Sequence, residues 1–397
     1  MICPAYNFSV ATIQSAPPPP RSAPPPRPTW RDRLDYFWQR VTEGMELEQL
    51  WSQFRAEASH AYRFYADEVE AKNIDRSQRH AWWEIAKEFF WATLTKLSPV
   101  RRLVLLVALV LLVIPSFSFV SDRTRVSFES YPVWGGILLL VLLLAEVSDR
   151  VTMKRDLQIA REIQSWLVPA EAPRIPGLDI AFVTRPANTV AGDYYDAFPL
   201  PDNGSGRRVL VTVADVAGKS IPAALLMATY QASLQTLSAI PCSLSELTAG
   251  MNRYASAHSS GGRRFTTAFL AEINTDTGAM TFVNAGHNAP VLRRANGSIE
   301  RLQATGLPLG ITAEGGYECG SRQLARGDLL VIFTDGLVEA VNVRGQEYEE
   351  PRMLTMLQGP PDSPAADVLK RLMLDVDLFV GAARQHDDIT CLLVRIT

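Results

Sequence analysis

The apolar residues follow three different patterns along the chain, and each pattern predicts a different kind of structure. Residues 47–71 place apolar side chains every three or four positions in a segment rich in charge and Trp, which predicts amphipathic helix. Residues 103–120 and 131–145 are almost wholly apolar and contain no charged residue. From residue 171 onward, short apolar runs alternate with turn-forming residues, which predicts a domain of strands and helices.

The two uncharged runs predict a pair of transmembrane helices within residues 99–147. The first run is close to the roughly 20 residues that cross a bilayer, and the shorter second run would do so by recruiting its flanks. The alternative is a buried hairpin in a soluble core. Basic residues lie outside the runs at Arg101, Arg102, Arg150, Lys154 and Arg155, and between them at Arg123 and Arg125. Basic residues are thus slightly more numerous outside the two runs than between them. This distribution predicts a multi-pass protein of the inner (cytoplasmic) membrane with both ends in the cytoplasm.

Three further segments complete the predicted organisation before the last domain. Residues 1–28 include a proline-rich stretch that sustains neither helix nor sheet, so we expect a disordered, extended linker, with an SH3-type ligand as the alternative. The N-terminus lacks the features of a cleaved signal peptide. Residues 29–98 are predicted to be a helical region. Residues 148–170 are predicted to be a helical connector, which is either a short coiled coil or an ordinary amphipathic helix.

Residues 171–397 are predicted to form a mixed α+β domain dominated by hairpins. A helix is predicted to begin near Ser220, a candidate N-cap, with Pro222 in its first turn. The segments typical of strands are RRVLVTVAD, FTTAFLAEIN, AMTFVNAG, APVLRRA, DLLVIFTD and DDITCLLVRIT. Because most of these follow one another without an intervening helix, a doubly wound parallel sheet is not expected.

Composition narrows the class of function. A formal net charge of −3 argues against a nucleic-acid-binding surface. The four cysteines are scattered without a Cys-x-x-Cys pair, which disfavours a zinc ribbon or a disulfide framework and suits a reducing compartment. Candidate chemistry therefore has to be sought among other side chains.

Acidic residues stand at the ends of several predicted strands. Asp215 ends VLVTVAD, Asp335 ends DLLVIFTD, Asp387 and Asp388 precede the last strand, and Asp193 lies in AGDYYD. Taken singly, each is an ordinary cap or turn residue. Their repetition predicts an oxygen-only site for a hard divalent cation such as Mg²⁺ or Mn²⁺. Two such ions can orient a water molecule, lower its pKa and hold a phosphoryl group for in-line attack.

The region from residue 158 to residue 397 contains these motifs in order: AREIQSWLVP, AGDYYD, VADVAGKSIPAALLMA, FTTAFLAEIN, NAGHNAPVL, LPLG, FTDGLVEA and DDIT. This succession resembles the SpoIIE/RsbU branch of the metal-dependent type 2C (PPM) serine/threonine protein phosphatases. The resemblance implies an αββα sandwich whose edge holds two Mn²⁺ or Mg²⁺ ions. It also implies direct attack of a metal-activated water on phosphoserine or phosphothreonine, without a covalent phosphoenzyme.

The resemblance also assigns roles to individual residues. Asp193 matches the acidic residue that contacts the metal pair directly or through water, and Asp215 matches the bridging ligand, so both are the implied catalytic residues. Ala191 and Ser220 stand where the family usually has Gly, which affects local backbone freedom and removes no ligand. The implied metal ligands are Asp193, Asp215, the backbone carbonyl of Val216, Asp335 and Asp387, with Asp388 as a further ligand or a partner of the ligands.

The function implied by the resemblance is that of a membrane-anchored phosphatase acting on a phosphorylated STAS-type anti-sigma-factor antagonist in bacterial signalling. The N-terminal region, the spans and the connector would receive the signal that sets the phosphatase activity. Formation of a homodimer is one means by which they would do so. No nucleic-acid partner is expected. One alternative is a catalytically silent scaffold, which predicts loss of acidic ligands, although none of the matched ones is missing. The other is a two-metal phosphohydrolase acting on nucleotides or lipids, for which no motif is present.

Three other features admit two interpretations. The AGKS stretch at 217–220 is similar to the end of a Walker A loop, but Val213 stands where Gly is required, which argues against a nucleotide-binding loop. His287 is either an acid for the leaving group or a structural residue of a turn, and the structural role is preferred. Arg263 and Arg264 fit a solvated loop better than a contact with a phosphorylated partner.

Overall fold

The computed structural model divides the chain into two compact units, residues 1–142 and residues 143–397. The predicted proline-rich segment and most of the predicted helical region before residue 99 lie outside the described residues. The structure describes Trp91, Leu94 and residues 97–113, 117–121, 124–128, 131–201, 204, 206–259, 261–314, 316–360 and 362–397.

The first unit contains two helices and a hairpin between them. Helix α1 spans Pro99–Val113, and helix α2, which continues into the second unit, spans Tyr131–Ser165. Strands β1 (Phe117–Ser121) and β2 (Thr124–Phe128) pair antiparallel. The two helices approach closely at Gly135, where a Cβ would lie 2.8 Å from the carbonyl oxygen of Ala108. Glycine permits this approach because it has no Cβ.

Only one helix of the predicted transmembrane pair has the length of a membrane span. Among the described residues, α2 is the one helix that is long and apolar enough to cross a membrane. Helix α1 ends at Val113 and the chain is a strand from Phe117, so the run at 103–120 is not a single helix. The sequence has a proline two positions after this end, at Pro115, and proline disfavours the continuation of a helix because it has no backbone N–H to donate. At about 1.5 Å per residue, α1 is about 22 Å long, short of the ~30 Å hydrocarbon core.

The second unit is a sandwich of two five-stranded sheets, with strand orders β10-β7-β6-β5-β4 and β3-β12-β11-β8-β9. Every paired neighbour in the two sheets is antiparallel, as the predicted hairpins require. The strands are β3 (Leu178–Arg185), β4 (Tyr194–Pro199), β5 (Arg208–Val216), β6 (Thr266–Asn274), β7 (Ala279–Ala285), β8 (Val291–Arg293), β9 (Ile299–Arg301), β10 (Gly320–Gln323), β11 (Leu329–Phe333) and β12 (Ile389–Ile396). The helices after α2 are α3 (Ser220–Ser238), α4 (Leu244–Ala257), α5 (Asp335–Val338), α6 (Glu350–Met356) and α7 (Ala365–Val380).

Strand β5 explains why the domain has four layers. Its sequence is apolar at nearly every position, and successive side chains of a strand point to opposite faces. Val209, Val211 and Val213 pack in the core between the sheets, whereas Leu210 and Ala214 pack in a second core with side chains of α3 and α4. Strand β11 alternates in the same way between the inner core and a third core that includes α7. The α+β class and the αββα layering therefore agree with the prediction.

Helix α3 begins at a residue in an unfavourable backbone conformation. Ser220 has a φ of 65°, in the left-handed region that a Cβ disfavours by roughly 1–2 kcal/mol. The N-cap is Lys219, so the prediction of Ser220 as the N-cap was off by one residue. The backbone thus needs the conformation that the Gly usual in the family would provide.

We predict that Ser220→Gly increases the free energy of unfolding by about 0.5–1 kcal/mol, because glycine adopts a positive φ at little steric cost. The measurement is chemical denaturation of the full-length protein in detergent. Ser233→Gly is the matched control, since Ser233 lies inside the same helix. It should lower stability by a similar amount, about 0.5–1 kcal/mol, because glycine is a poor helix former. Equal destabilisation by both changes would contradict the assignment of strain to Ser220.

Candidate metal centre

The antiparallel pairing of the first sheet brings two of the predicted site residues together. Strand β4 begins beside the point where β5 ends, with Tyr194 opposite Ala214. Asp193 immediately precedes β4, and Asp215 is the next-to-last residue of β5. The two carboxylates therefore lie at the same end of this sheet.

The second sheet repeats the arrangement with the other three acidic residues. Strand β11 ends beside the point where β12 begins, with Phe333 opposite Cys391. Asp335 opens the short helix α5 directly after β11, and Asp387 and Asp388 directly precede β12. All three therefore lie at one end of this sheet.

Hydrogen bonds join these two sheet ends to each other. The Thr334 hydroxyl, from the second sheet, donates to Oδ2 of Asp193 in the first at 3.0 Å. The backbone N–H groups of Gly192 and Ala187 donate to the two carboxylate oxygens of Asp388 at 2.6 and 2.7 Å. The structure thus joins the two sheet ends that carry the five predicted acidic residues.

Threonine hydroxyls, which the sequence analysis did not single out, fix the most buried of these carboxylates. Asp193 is only 4% exposed. Thr334 accepts a hydrogen bond from the backbone N–H of Thr390 at 2.9 Å while it donates to Asp193. The hydroxyls of Thr390 and Thr184 are 3.0 Å apart. The only sequence signal was that FTDG and DDIT each place a Thr beside the acidic residues.

The glycine of FTDG is required by the close approach of the two strand ends. A Cβ at Gly336 would lie 2.1 Å from the carbonyl oxygen of Asp388, well inside van der Waals contact. Any larger residue would push apart the segments that carry Asp335 and Asp388. This glycine is therefore part of the geometry that holds the acidic residues together.

Burial and mutual repulsion disfavour the ionised form of the acidic cluster. Burial, followed by the charge of Asp215, raises the pKa of Asp193 well above its ordinary value. Burial, followed by the charges of Asp335 and Asp387, raises the pKa of Asp215 to about 7. Burial and the charge of Asp387 also raise the pKa of Asp335. Uncompensated carboxylates held in this way cost folding free energy unless a cation or a proton offsets them.

The donor set fits hard divalent cations. The cluster offers only oxygen ligands and carries more negative charge than nearby side chains neutralise. Within the part of the chain that the structure describes, however, no three acidic, His or Cys side chains already converge as a coordinating group. Both oxygens of Asp388 are engaged by backbone amides. Asp193, Asp215, Asp335 and Asp387 thus stay predicted ligands, and the geometry of Asp388 suits a residue that holds the 187–192 loop.

Lys219 contributes a positive charge at the rim of the cluster. Its ammonium group lies 2.9 Å from Oδ2 of Asp387 and donates to the carbonyl oxygen of His386 at 2.9 Å. Sequence reasoning noticed this lysine only as part of an incomplete Walker A motif. Its placement on the loop between β5 and α3 brings it to the metal site.

His287 is buried and neutral, which favours the structural interpretation over the acid. The residue is 5% exposed, and burial lowers the pKa of its imidazole to about 4. Its Nδ1 lies 3.0 Å from the Thr267 hydroxyl, and Thr267 is paired with Asp215 across the sheet. Its backbone N–H donates to the side-chain oxygen of Asn284 at 2.8 Å. His287 therefore supports the strand that backs Asp215.

The end of helix α2 is attached to the loop that precedes Asp193. Gln164 donates from Nε2 to the carbonyl oxygen of Ala191 at 2.7 Å and accepts from its backbone N–H at 2.9 Å. This pair of bonds places the helical connector two residues from a predicted metal ligand. The position of Gln164 in AREIQSWLVP was the one feature of the sequence that bears on this contact.

Comparison with known proteins agrees with this geometry. Residues 205–397 match the family model of stage II sporulation protein E (SpoIIE). The phosphoserine phosphatase RsbU of Bacillus subtilis (strain 168) is 29% identical over 244 residues, 61% of this chain and 70% of RsbU. These matches support the SpoIIE/RsbU branch of the metal-dependent (PPM) protein phosphatases for the C-terminal domain. The predicted family, and with it the class of protein serine/threonine phosphatases, is confirmed.

Other members of this branch and one solved structure agree with the assignment. Protein IcfG of Synechocystis sp. is 24% identical over 281 residues, 64% of this chain and 43% of IcfG. The phosphoserine phosphatase RsbP of B. subtilis is 22% identical over 252 residues, 62% of this chain and 59% of RsbP. The SiaA-PP2C domain of Pseudomonas aeruginosa has the same fold, with a TM-score of 0.54, 20% identity, and coverage of 63% of this chain and 99% of that domain.

We predict that Asp215→Asn stabilises the metal-free protein at pH 8 and gives progressively less stabilisation as the pH falls from 7 toward 4. Because the folded-state pKa of Asp215 is raised to about 7, its ionised form destabilises the fold at high pH, and the penalty disappears once the group is protonated in both states. The expected gain at pH 8 is on the order of 2 kcal/mol.

Urea denaturation of the full-length protein in detergent with EDTA, at several pH values, measures this effect. Asp377→Asn is the control, since Asp377 is an exposed carboxylate paired with Arg185. Addition of Mn²⁺ should stabilise the wild type more than Asp215→Asn. A variant that is less stable than the wild type at pH 8 without metal would contradict the electrostatic account.

Proposed function

We propose that the chain is a membrane-anchored, metal-dependent protein phosphatase that removes phosphate from serine or threonine of a regulatory protein in bacterial signalling. The observation that carries the proposal is the joining of the two sheet ends that bear the predicted ligands Asp193, Asp215, Asp335 and Asp387. The relatives named phosphoserine phosphatases, RsbU and RsbP, support the substrate class.

The residues of the site would divide the catalytic work between them. Two divalent cations, Mn²⁺ or Mg²⁺, would lower the pKa of a water molecule and neutralise the phosphoryl oxygens. Asp193, Asp215, the Val216 carbonyl, Asp335 and Asp387 would hold these ions. Thr334 keeps Asp193 in a fixed orientation, so little rearrangement is required when the site fills. Because no side chain serves as the nucleophile, hydrolysis proceeds in one displacement.

The proposed substrate is a phosphorylated STAS-domain protein in a partner-switching pathway that controls a sigma factor. The sequence similarity to RsbU is what supports this choice of substrate among those of protein phosphatases in general. A catalytically silent scaffold is the less favoured alternative, since each predicted acidic ligand is present at the site. A two-metal hydrolase acting on nucleotides or lipids is the other alternative, and it is distinguished by substrate.

The remaining segments would regulate this activity from the membrane. We assign residues 99–147 to membrane attachment, supported by the apolar character of α2, with the phosphatase domain in the cytoplasm. Residues 148–170 form the connector that transmits a signal to the catalytic domain, and dimerisation is a possible means of regulation. The bonds between Gln164 and Ala191 supply the physical contact for that transmission.

We predict that the full-length protein in detergent releases phosphate from a phosphoserine-bearing STAS protein when Mn²⁺ or Mg²⁺ is added. Asp215→Asn should reduce the rate at least about 100-fold, because electrostatic stabilisation of the reacting phosphoryl group is the largest catalytic contribution. The measurement is phosphate release with increasing metal, compared with nucleotide and phospholipid monoester substrates.

Each result separates the candidate functions. Activity that is independent of metal, or unchanged in Asp215→Asn, would refute the ligand assignment. Preference for nucleotides or lipids would favour the other phosphohydrolase. Complete inactivity in detergent and in native membranes would favour the scaffold. Asp276→Asn serves as the control, because its ion pair with Arg207 lies on the surface at the opposite end of β5 from Asp215.

We predict that Gln164→Leu lowers kcat by about 10-fold, since the loss of two hydrogen bonds releases the loop that precedes Asp193. Gln158→Leu is the matched control, because Gln158 lies on the same helix and is exposed. The measurement is the steady-state rate of the full-length protein at saturating metal. Equal rates for wild type and Gln164→Leu would mean that this contact does not couple the connector to the site.

A further inference from the structure

The ammonium group of Lys219 lies beside the acidic cluster, and not all of its N–H donors are engaged there. Two acceptors lie at 2.9 Å, Oδ2 of Asp387 and the carbonyl oxygen of His386. A lysine ammonium has three N–H donors, so one donor is left for another acceptor. The side chain of Lys219 is 56% exposed, which leaves that donor accessible from solvent.

A cavity of about 260 Å³ opens next to this ammonium group. Its lining includes Lys219, Gly336, Asp387, Glu339 and Val380. Lys219 therefore lies where a group entering from solvent meets the acidic cluster. The volume is sufficient for a phosphorylated side chain but not for a folded domain.

The charge balance of the site calls for a cation at this point. A phosphorylated serine carries a charge of about −1.5 to −2 at neutral pH. Two divalent cations would offset the four carboxylates predicted as ligands, so the charge of the phosphate ester itself would still need a positive partner. Across the described part of the chain, Lys219 is the one basic side chain in a salt bridge with any acidic residue of the cluster. Arg185, which lines the same cavity, is paired with Asp377.

We propose that Lys219 binds the phosphoryl group of the substrate through its third N–H, while Asp387 and the His386 carbonyl hold the ammonium group in place. The proposal rests on the proposed phosphatase function and adds a substrate-binding residue to it. The role requires a positive charge with free N–H donors on a flexible side chain, which lysine supplies. Lys219 thus offsets the repulsion between the acidic cluster and an incoming phosphate ester.

A different role for Lys219 would leave a different experimental signature. If the lysine only orients or neutralises Asp387, its removal should change the metal concentration needed for activity and leave phosphate affinity unchanged. If it binds the phosphoryl group, its removal should weaken the phosphopeptide and inorganic phosphate in parallel. The two roles can therefore be distinguished by measuring metal and phosphate separately.

The test compares Lys219→Met, Lys219→Gln and Lys219→Arg with the wild type as full-length proteins in detergent. Lys370→Met is the control, since Lys370 is an exposed lysine that lines a separate groove along α7. The readouts are KM for a phosphoserine peptide, inhibition by inorganic phosphate, and the Mn²⁺ concentration for half-maximal activity. Calorimetric titration of inorganic phosphate with Mg²⁺ present gives a readout that does not require turnover.

For Lys219→Met and Lys219→Gln we expect KM and the phosphate inhibition constant to rise together by about 10-fold, the lower end for a charge-assisted hydrogen bond at a partly exposed site. Lys219→Arg should recover most of the loss, and Lys370→Met should match the wild type. Unchanged phosphate affinity, with or without a shift in the Mn²⁺ requirement, would overturn the proposal. If the wild type is inactive, the proposed function fails, while calorimetry still decides whether Lys219 binds phosphate.

Discussion

The structure depends on holding several carboxylates close together at the end of a β sandwich, where their burial and mutual repulsion oppose folding. Burial and neighbouring charges raise the pKa of Asp193, Asp215 and Asp335. A protein keeps such a cluster only when the surrounding structure supplies the stabilising free energy. Here that free energy comes from three apolar cores that lie between and outside the sheets.

The hydrogen bonds at the sheet ends determine where each carboxylate lies. Thr334 orients Asp193, and the amides of Ala187 and Gly192 hold Asp388. Gly336 allows the two segments to approach, because a Cβ there would meet the carbonyl of Asp388. These contacts fix the acidic side chains before any ligand arrives, which is the arrangement that favours transition-state binding over binding of the ground state.

The site is connected to the rest of the domain by loops on both of its sides. The loop before Asp193 carries the bonds to Gln164 of the connector helix. The loop after Asp215 carries Lys219 and continues into α3 through the strained Ser220. Movement of either loop would change the position of a predicted ligand, so the proposed regulation and the proposed substrate binding would both act through short segments next to the acidic cluster.

The sequence by itself determined the elements and the chemistry of this protein. Continuous apolar strands, turn residues and hairpin order predicted a two-sheet α+β domain, and acidic residues at strand ends predicted an oxygen-only site, because side-chain type and period are local properties. The apolar run at 103–120 showed the limit of this reasoning, since hydropathy does not register the end of the helix at Val113. Only the tertiary structure decided which residues meet across the sheets. Thr334, Gln164 and Lys219 gain their roles from contacts with residues far away in the chain, and pairing register and packing set those contacts.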